Sequence, residues 1–172
     1  MGRQRTNQRV ARAFIDLEAT CDEDTREVGH LIEIGAIIAV EKVEVSRLST
    51  LVRCPVPVSD FCQQLTGIDA QWLETAPNAE DSLGLLSSLL TLHGVAEWIS
   101  WGPFDRELLS RYGFLGPQHI DLAKVFWRSG RGRVGRKKAY RRVMGGDSPR
   151  KNHWAIGDAE DVFKIWAQIT ND

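Results

Sequence analysis

The pattern of apolar and polar positions changes period several times along the chain, and each change marks an element. Residues 12–18 read as a buried strand with Ala13, Ile15 and Leu17 on one face and Phe14, Asp16 and Glu18 on the other. An acidic loop, Cys21 to Glu27, follows and closes at Gly29. His30 to Val40 and Val43 to Arg53 read as the next two strands, and the short spacing at Glu41-Lys42 predicts an antiparallel hairpin between them. Ser59-Asp60 caps a short helix through Leu65, which Thr66-Gly67 ends.

A period near 3.6 appears after Pro77-Asn78, where Leu83, Leu86, Leu89 and Leu90 form the stripe of a helix reaching Leu92. Val95 to Trp101 reads as a fourth strand, Gly102-Pro103 opens a helix through Tyr112, and His119 to Leu122 is a fifth strand leading to a helix near Phe126. Ser129 to Gly135 is a glycine-arginine loop, Arg136 to Met144 a basic helix, Gly145 to Asn152 a second loop, and Asp158 to Ile169 a final amphipathic helix. Three strands first, then strands alternating with helices, predict an α/β fold with a mixed sheet. No repeat or linker divides the chain, so the expected organisation is a flexible basic arm over residues 1–11 and a single domain over 12–172.

Charge is distributed unevenly. The net charge is only −1, yet residues 13–127 carry 18 acids against 7 bases, and residues 128–151 carry 10 bases against one acid. An acidic body with basic edges suits a protein that holds cations centrally and a polyanion at its rim. Three cysteines, Cys21, Cys54 and Cys62, without a Cys-x-x-Cys pair argue against a disulfide framework and a zinc ribbon. The longest apolar run, Leu31 to Val40, contains Glu33 and is half the length that a membrane helix needs. With no apolar signal segment at the N-terminus, the expectation is a soluble cytoplasmic protein with no membrane and no obligate protein partner.

The candidate chemistry begins with the strand face that pairs Asp16 with Glu18. Two carboxylates on one face of a buried strand repel each other and lose hydration, and a bound cation offsets both costs. Asp105 and Asp158 stand in helix first turns, Asp105 on its helix's apolar stripe and Asp158 bordering one. The helix dipole accounts for acids at these positions but does not require them to face inward. His153 precedes Asp158 by five residues, and an imidazole there can take a proton from water. His30, His93 and His119 read as structural histidines.

Phe14-Ile15-Asp16-Leu17-Glu18-Ala19-Thr20, Trp101-Gly102-Pro103-Phe104-Asp105 and His153-x4-Asp158 together resemble the three motifs of the DnaQ-like exonuclease superfamily, with the histidine spacing of its DEDDh branch. Leu31-Ile32-Glu33-Ile34-Gly35-Ala36 and Ser59-Asp60-Phe61-Cys62-Gln63-Gln64-Leu65-Thr66-Gly67-Ile68 narrow the likeness to Eri-type 3′–5′ exoribonucleases and KapD-like bacterial proteins. Gly157 stands before Asp158 where many members have a second acid.

The resemblance implies a ribonuclease H-like three-layer fold, a five-stranded mixed sheet with one antiparallel strand flanked by helices. It also implies two divalent cations, Mg²⁺ or Mn²⁺, about 4 Å apart. Asp16 would bridge both, Glu18 and Asp158 would complete the first site, Asp105 would hold the second ion through water, and His153 would deprotonate the attacking water. The implied reaction is hydrolysis of single-stranded RNA or RNA 3′ overhangs from the 3′ end, releasing nucleoside 5′-monophosphates. Ala19, Leu65, Thr66 and Trp101 would touch the terminal nucleotides, and Arg133, Arg136, Lys137 and Lys138 the phosphates. Trp154 reads as a packing residue. Two alternatives remain open on the residues alone: a DNA-directed proofreading-type exonuclease, and a non-catalytic RNA-binding module on the same scaffold.

Overall fold

The computed structural model describes residues 10–23, 29–149 and 153–170. Five strands, β1 (Ala11–Ala19), β2 (Leu31–Val40), β3 (Val43–Leu51), β4 (Glu97–Ser100) and β5 (Gln118–Asp121), form one sheet in the order β3-β2-β1-β4-β5. β2 runs antiparallel to both neighbours, whereas β1, β4 and β5 are parallel. The helices are α1 (Asp60–Thr66), α2 (Ala70–Glu74), α3 (Ala79–Leu92), α4 (Phe104–Arg111), α5 (Leu122–Phe126), α6 (Arg136–Met144) and α7 (Ala155–Ile169).

The alternation in β1 divides the core. Ala13, Ile15 and Leu17 pack with Leu83, Leu86 and Leu90 of α3 and with Leu108 and Leu109 of α4. Phe14 packs on the opposite side with α5, α6 and α7, its ring 5.0 Å from Phe163 and 5.2 Å from Trp166. The result is the expected three-layer α/β architecture with one antiparallel strand. Asp16 and Glu18 follow Phe14 on the α7 side of the sheet. A smaller cluster of Ile32, Cys62, Ile68 and Leu73, joined by Cys21 and Cys54, fixes α1 and α2 beyond the end of β1.

Several boundaries differ from the expectations. β1 begins at Ala11, which is buried, one residue before the expected strand; residues 1–9, where the basic arm is expected, lie outside the described residues. Helix α2 was not expected: at five residues it is too short to show a period, and the side chain of Asp69 caps it by accepting from the Gln71 N–H at 2.8 Å. α5 continues into a wide turn over Trp127–Arg131, which reaches into the glycine-arginine loop and is broken at Gly130. Helix α7 starts at Ala155 rather than Asp158, since its first N–H is met by a residue distant in sequence. Arg150, Lys151 and Asn152, and the acidic loop's residues 24–27, fall outside the described residues. Among the described residues no helix is long and apolar enough to cross a membrane.

Candidate active site

Carboxylates converge where β1 meets α7. In the register of β1 with β2, Asp16 lies opposite Gly35 and Glu18 opposite Glu33. Gly35 leaves an empty place beside Asp16, and the backbone of α7 fills it: a Cβ on Gly35 would overlap the Ala155 carbonyl and the Ile156 nitrogen. Close approach of α7 to the sheet brings Asp158 against Asp16 and Glu18, so that one oxygen from each of the three lies within 4.8 Å of the others.

Glu33 completes this joint. Trp154 precedes α7 without a side-chain cap, and the Glu33 carboxylate accepts the Ala155 N–H at 3.1 Å in its place. Burial raises the Glu33 carboxyl from its ordinary 4.5 to about 7, with the Ala155 hydrogen bond opposing that rise. Its positioning role was not read from the sequence, where Glu33 is one acid inside an apolar strand. The available signal was a carboxylate in an otherwise fully apolar run, which requires a buried partner.

Asp105 stands outside the three-carboxylate cluster. It accepts the Leu17 N–H at 3.0 Å from α4, and burial raises its carboxyl to about 7, with nearby Ser100 and the Leu17 N–H opposing the rise. Ser100 in turn meets His119 Nε2 at 3.0 Å. Asp105 lies close enough to Asp16 that its charge is the second cause, after desolvation, of an Asp16 carboxyl held well above the ordinary range; Asp158 is the third. Mutually repelling, desolvated carboxylates form a donor set of oxygen atoms, which fits a hard divalent cation.

His153 adopts a left-handed backbone with φ 56° and sits half-exposed, its Nδ1 3.7 Å from Glu18 Oε2. The Glu18 carboxylate raises its pKa above the ordinary 6.5, with burial opposing and Lys137 adding a repulsive charge. Lys137 is therefore near His153, and both Lys137 and Lys138 are exposed.

Arg136 has a different environment from the one expected. It is an ordered, largely covered side chain, paired with Asp158 and, at 3.1 Å, with Asp161. Ser148 donates to the other oxygen of Asp161 at 2.8 Å. The guanidinium is thus engaged by carboxylates of α7. Arg133 is exposed but stacks on Trp127. Leu65 is exposed at the end of α1, whereas the Thr66 hydroxyl donates to the Cys62 carbonyl at 2.8 Å and accepts from the Ile68 N–H. Ala19 is buried at a bulge in β1, and half-buried Trp101 packs edge-on against Phe126 at 5.6 Å. Trp154 is 42% exposed, in contrast to the packing role expected of it.

Over residues 13–166 the sequence matches the exonuclease family RNase_T. Comparison with curated protein sequences gives no match. Among solved structures, one described as 3′-end specific recognition of histone mRNA stem-loop by 3′-exonuclease has a TM-score of 0.82 at 18% identity, covering 94% of this chain and 81% of its own. The nuclease domain of 3′hExo, a DEDDh family member bound to rAMP, has a TM-score of 0.80 at 19% identity, covering 95% and 92%. Exonuclease X in complex with 5′ overhanging duplex DNA has a TM-score of 0.66 at 19% identity, covering 93% and 92%. Their similarity to this chain is one of fold.

Proposed function

From the premise that the chain belongs to the RNase_T exonuclease family, we propose that it is a DEDDh-type, metal-dependent 3′–5′ exonuclease acting on single-stranded RNA or RNA 3′ overhangs. The observation that carries the reading is the meeting of Asp16, Glu18 and Asp158 within 4.8 Å, with His153 beside Glu18. Two solved structures similar in fold are described with RNA or a ribonucleotide, which favours RNA over DNA.

Asp16, Glu18 and Asp158 would hold one divalent cation, and Asp105 would help to hold a second. Bound there, Mg²⁺ or Mn²⁺ would activate water and neutralise charge developing on the phosphate. His153 faces Glu18 through Nδ1, an arrangement that favours a proton on that nitrogen and leaves Nε2 to accept one from the attacking water. Glu18 thereby serves the ion and orients the base. Lys137 and Lys138 would draw the phosphate backbone to the same edge.

The test uses 5′-labelled single-stranded RNA and DNA of one sequence with Mg²⁺, Mn²⁺ or EDTA. Stepwise shortening from the 3′ end should require the cation, favour RNA and vanish in Asp16→Ala. Activity unchanged by EDTA would overturn the metal reading, equal or better shortening of DNA would overturn the RNA assignment, and RNA binding without cleavage would identify a binding module.

A further inference from the structure

Trp127 lies just beyond α5 and is 43% exposed, although its neighbour Phe126 is fully buried. Gly130 and Gly132, with φ 80° and 79°, turn the chain back so that the Arg133 guanidinium lies 3.8 Å from the centre of the Trp127 ring. Between them, Ala123, Lys124, Trp127, Arg133 and Val134 line an open, mainly apolar groove of about 360 Å³. Exposed indole, stacked guanidinium and apolar floor present flat surfaces to a flat ligand. The segment that carries the groove, residues 128–142, has eight bases and no acid, which favours a polyanion.

The groove is tied to the candidate active site by a short length of chain. Arg136 is three positions along the chain from Arg133, about 11 Å at full extension, and Arg136 pairs with Asp158. On the opposite side, Trp101 packs on Phe126, the residue before Trp127. We infer that the Trp127–Arg133 groove is a second nucleic-acid subsite, which stacks a base of a single strand upstream of its 3′ end while neighbouring arginines meet the phosphates. This rests on the exonuclease reading above. Base stacking of this kind is indifferent to sequence and to the sugar, so the groove would add affinity for length without adding sequence preference.

The experiment measures anisotropy of end-labelled 12-nucleotide RNA and DNA on the full chain in EDTA, with a dinucleotide as competitor. Trp127→Ala should weaken the 12-mer about 10- to 100-fold, and at least ~10-fold more than it weakens the dinucleotide. Trp127→Phe should restore most of the affinity, and Arg133→Glu should reproduce the loss with the indole in place. Equal weakening at both lengths, or no weakening in either Trp127→Ala or Arg133→Glu, overturns the subsite. If the unmodified chain shortens RNA once Mg²⁺ replaces EDTA while Trp127→Ala binds the 12-mer as tightly, the subsite alone is wrong. If the unmodified chain neither binds either strand nor shortens it in Mg²⁺, the exonuclease reading falls and takes the subsite with it.

Discussion

The Glu33 carboxylate caps the Ala155 N–H at 3.1 Å across 122 residues of sequence. One strand therefore supplies the cap of a helix that a local sequence signal would ordinarily provide. Glu33→Ala should leave a buried N–H unsatisfied and cost about 1–3 kcal/mol in urea unfolding. Turnover should fall with it, since His153 and Asp158 flank the capped turn. Glu33→Gln keeps an acceptor and should retain most of the stability.

Stability should fall as pH rises through the range in which Glu33 titrates. Its carboxyl ionises near 4.5 ordinarily and at about 7 in the fold, chiefly through burial. Between those values the folded chain retains a proton that the unfolded chain has lost, so rising pH favours unfolding; above about 7 the loss is complete and stays constant. Asp105, raised to about 7 by burial, adds a fall of the same sign. Urea unfolding in EDTA at pH 5 and pH 8 should show the decline, and Glu33→Gln should reduce it by roughly 1–3 kcal/mol. Mg²⁺ should oppose it, since a cation favours the ionised carboxylates.

Arg136 stands between two buried acids, Asp158 and Asp161. Arg136→Met should destabilise the metal-free protein by about 3–5 kcal/mol, because both carboxylates lose their compensating charge. Saturating Mg²⁺ should recover part of that loss through binding to the folded state alone. Thermal unfolding of the variant with and without Mg²⁺ checks both statements, and a loss independent of the cation would separate Arg136 from the ion site.

His153→Ala should reduce kcat about 10²- to 10⁴-fold, the usual contribution of a positioned proton acceptor. Cation affinity, measured by calorimetry, should change by less than about threefold. In the metal-free protein His153 should titrate above 6.5 by NMR, since the Glu18 carboxylate favours the protonated imidazole, and Mg²⁺ bound to Glu18 should lower that value. A large loss of cation binding in the variant would make His153 a ligand.

The sheet and the faces of β1 were legible because strand alternation is a local property. Asp105 and Asp158 were legible as inward acids because helical periodicity places them beside apolar neighbours. The start of α7 was not, since its cap comes from Glu33. Arg136 could be read as a cation but not as an ion-pair partner, because 25 residues separate it from Asp161 and no short-range pattern links them. Gly35 carries no signal beyond its type, and its role depends wholly on the helix that descends on it. Local chemistry was readable; long-range docking was not.

The joint between Gly35 and α7 has a mechanical consequence. His153 and Asp158 flank the first turn of one helix, and that turn rests on bare strand backbone. Any slide or tilt of α7 would carry the proposed base and the proposed ligand in step, preserving their spacing while changing their distance from Asp16. The catalytic constellation would then behave as two rigid jaws, with β1 as the fixed jaw and the start of α7 as the other. A single methyl group at position 35 would act as a shim between them, opening both chemical functions by the same displacement.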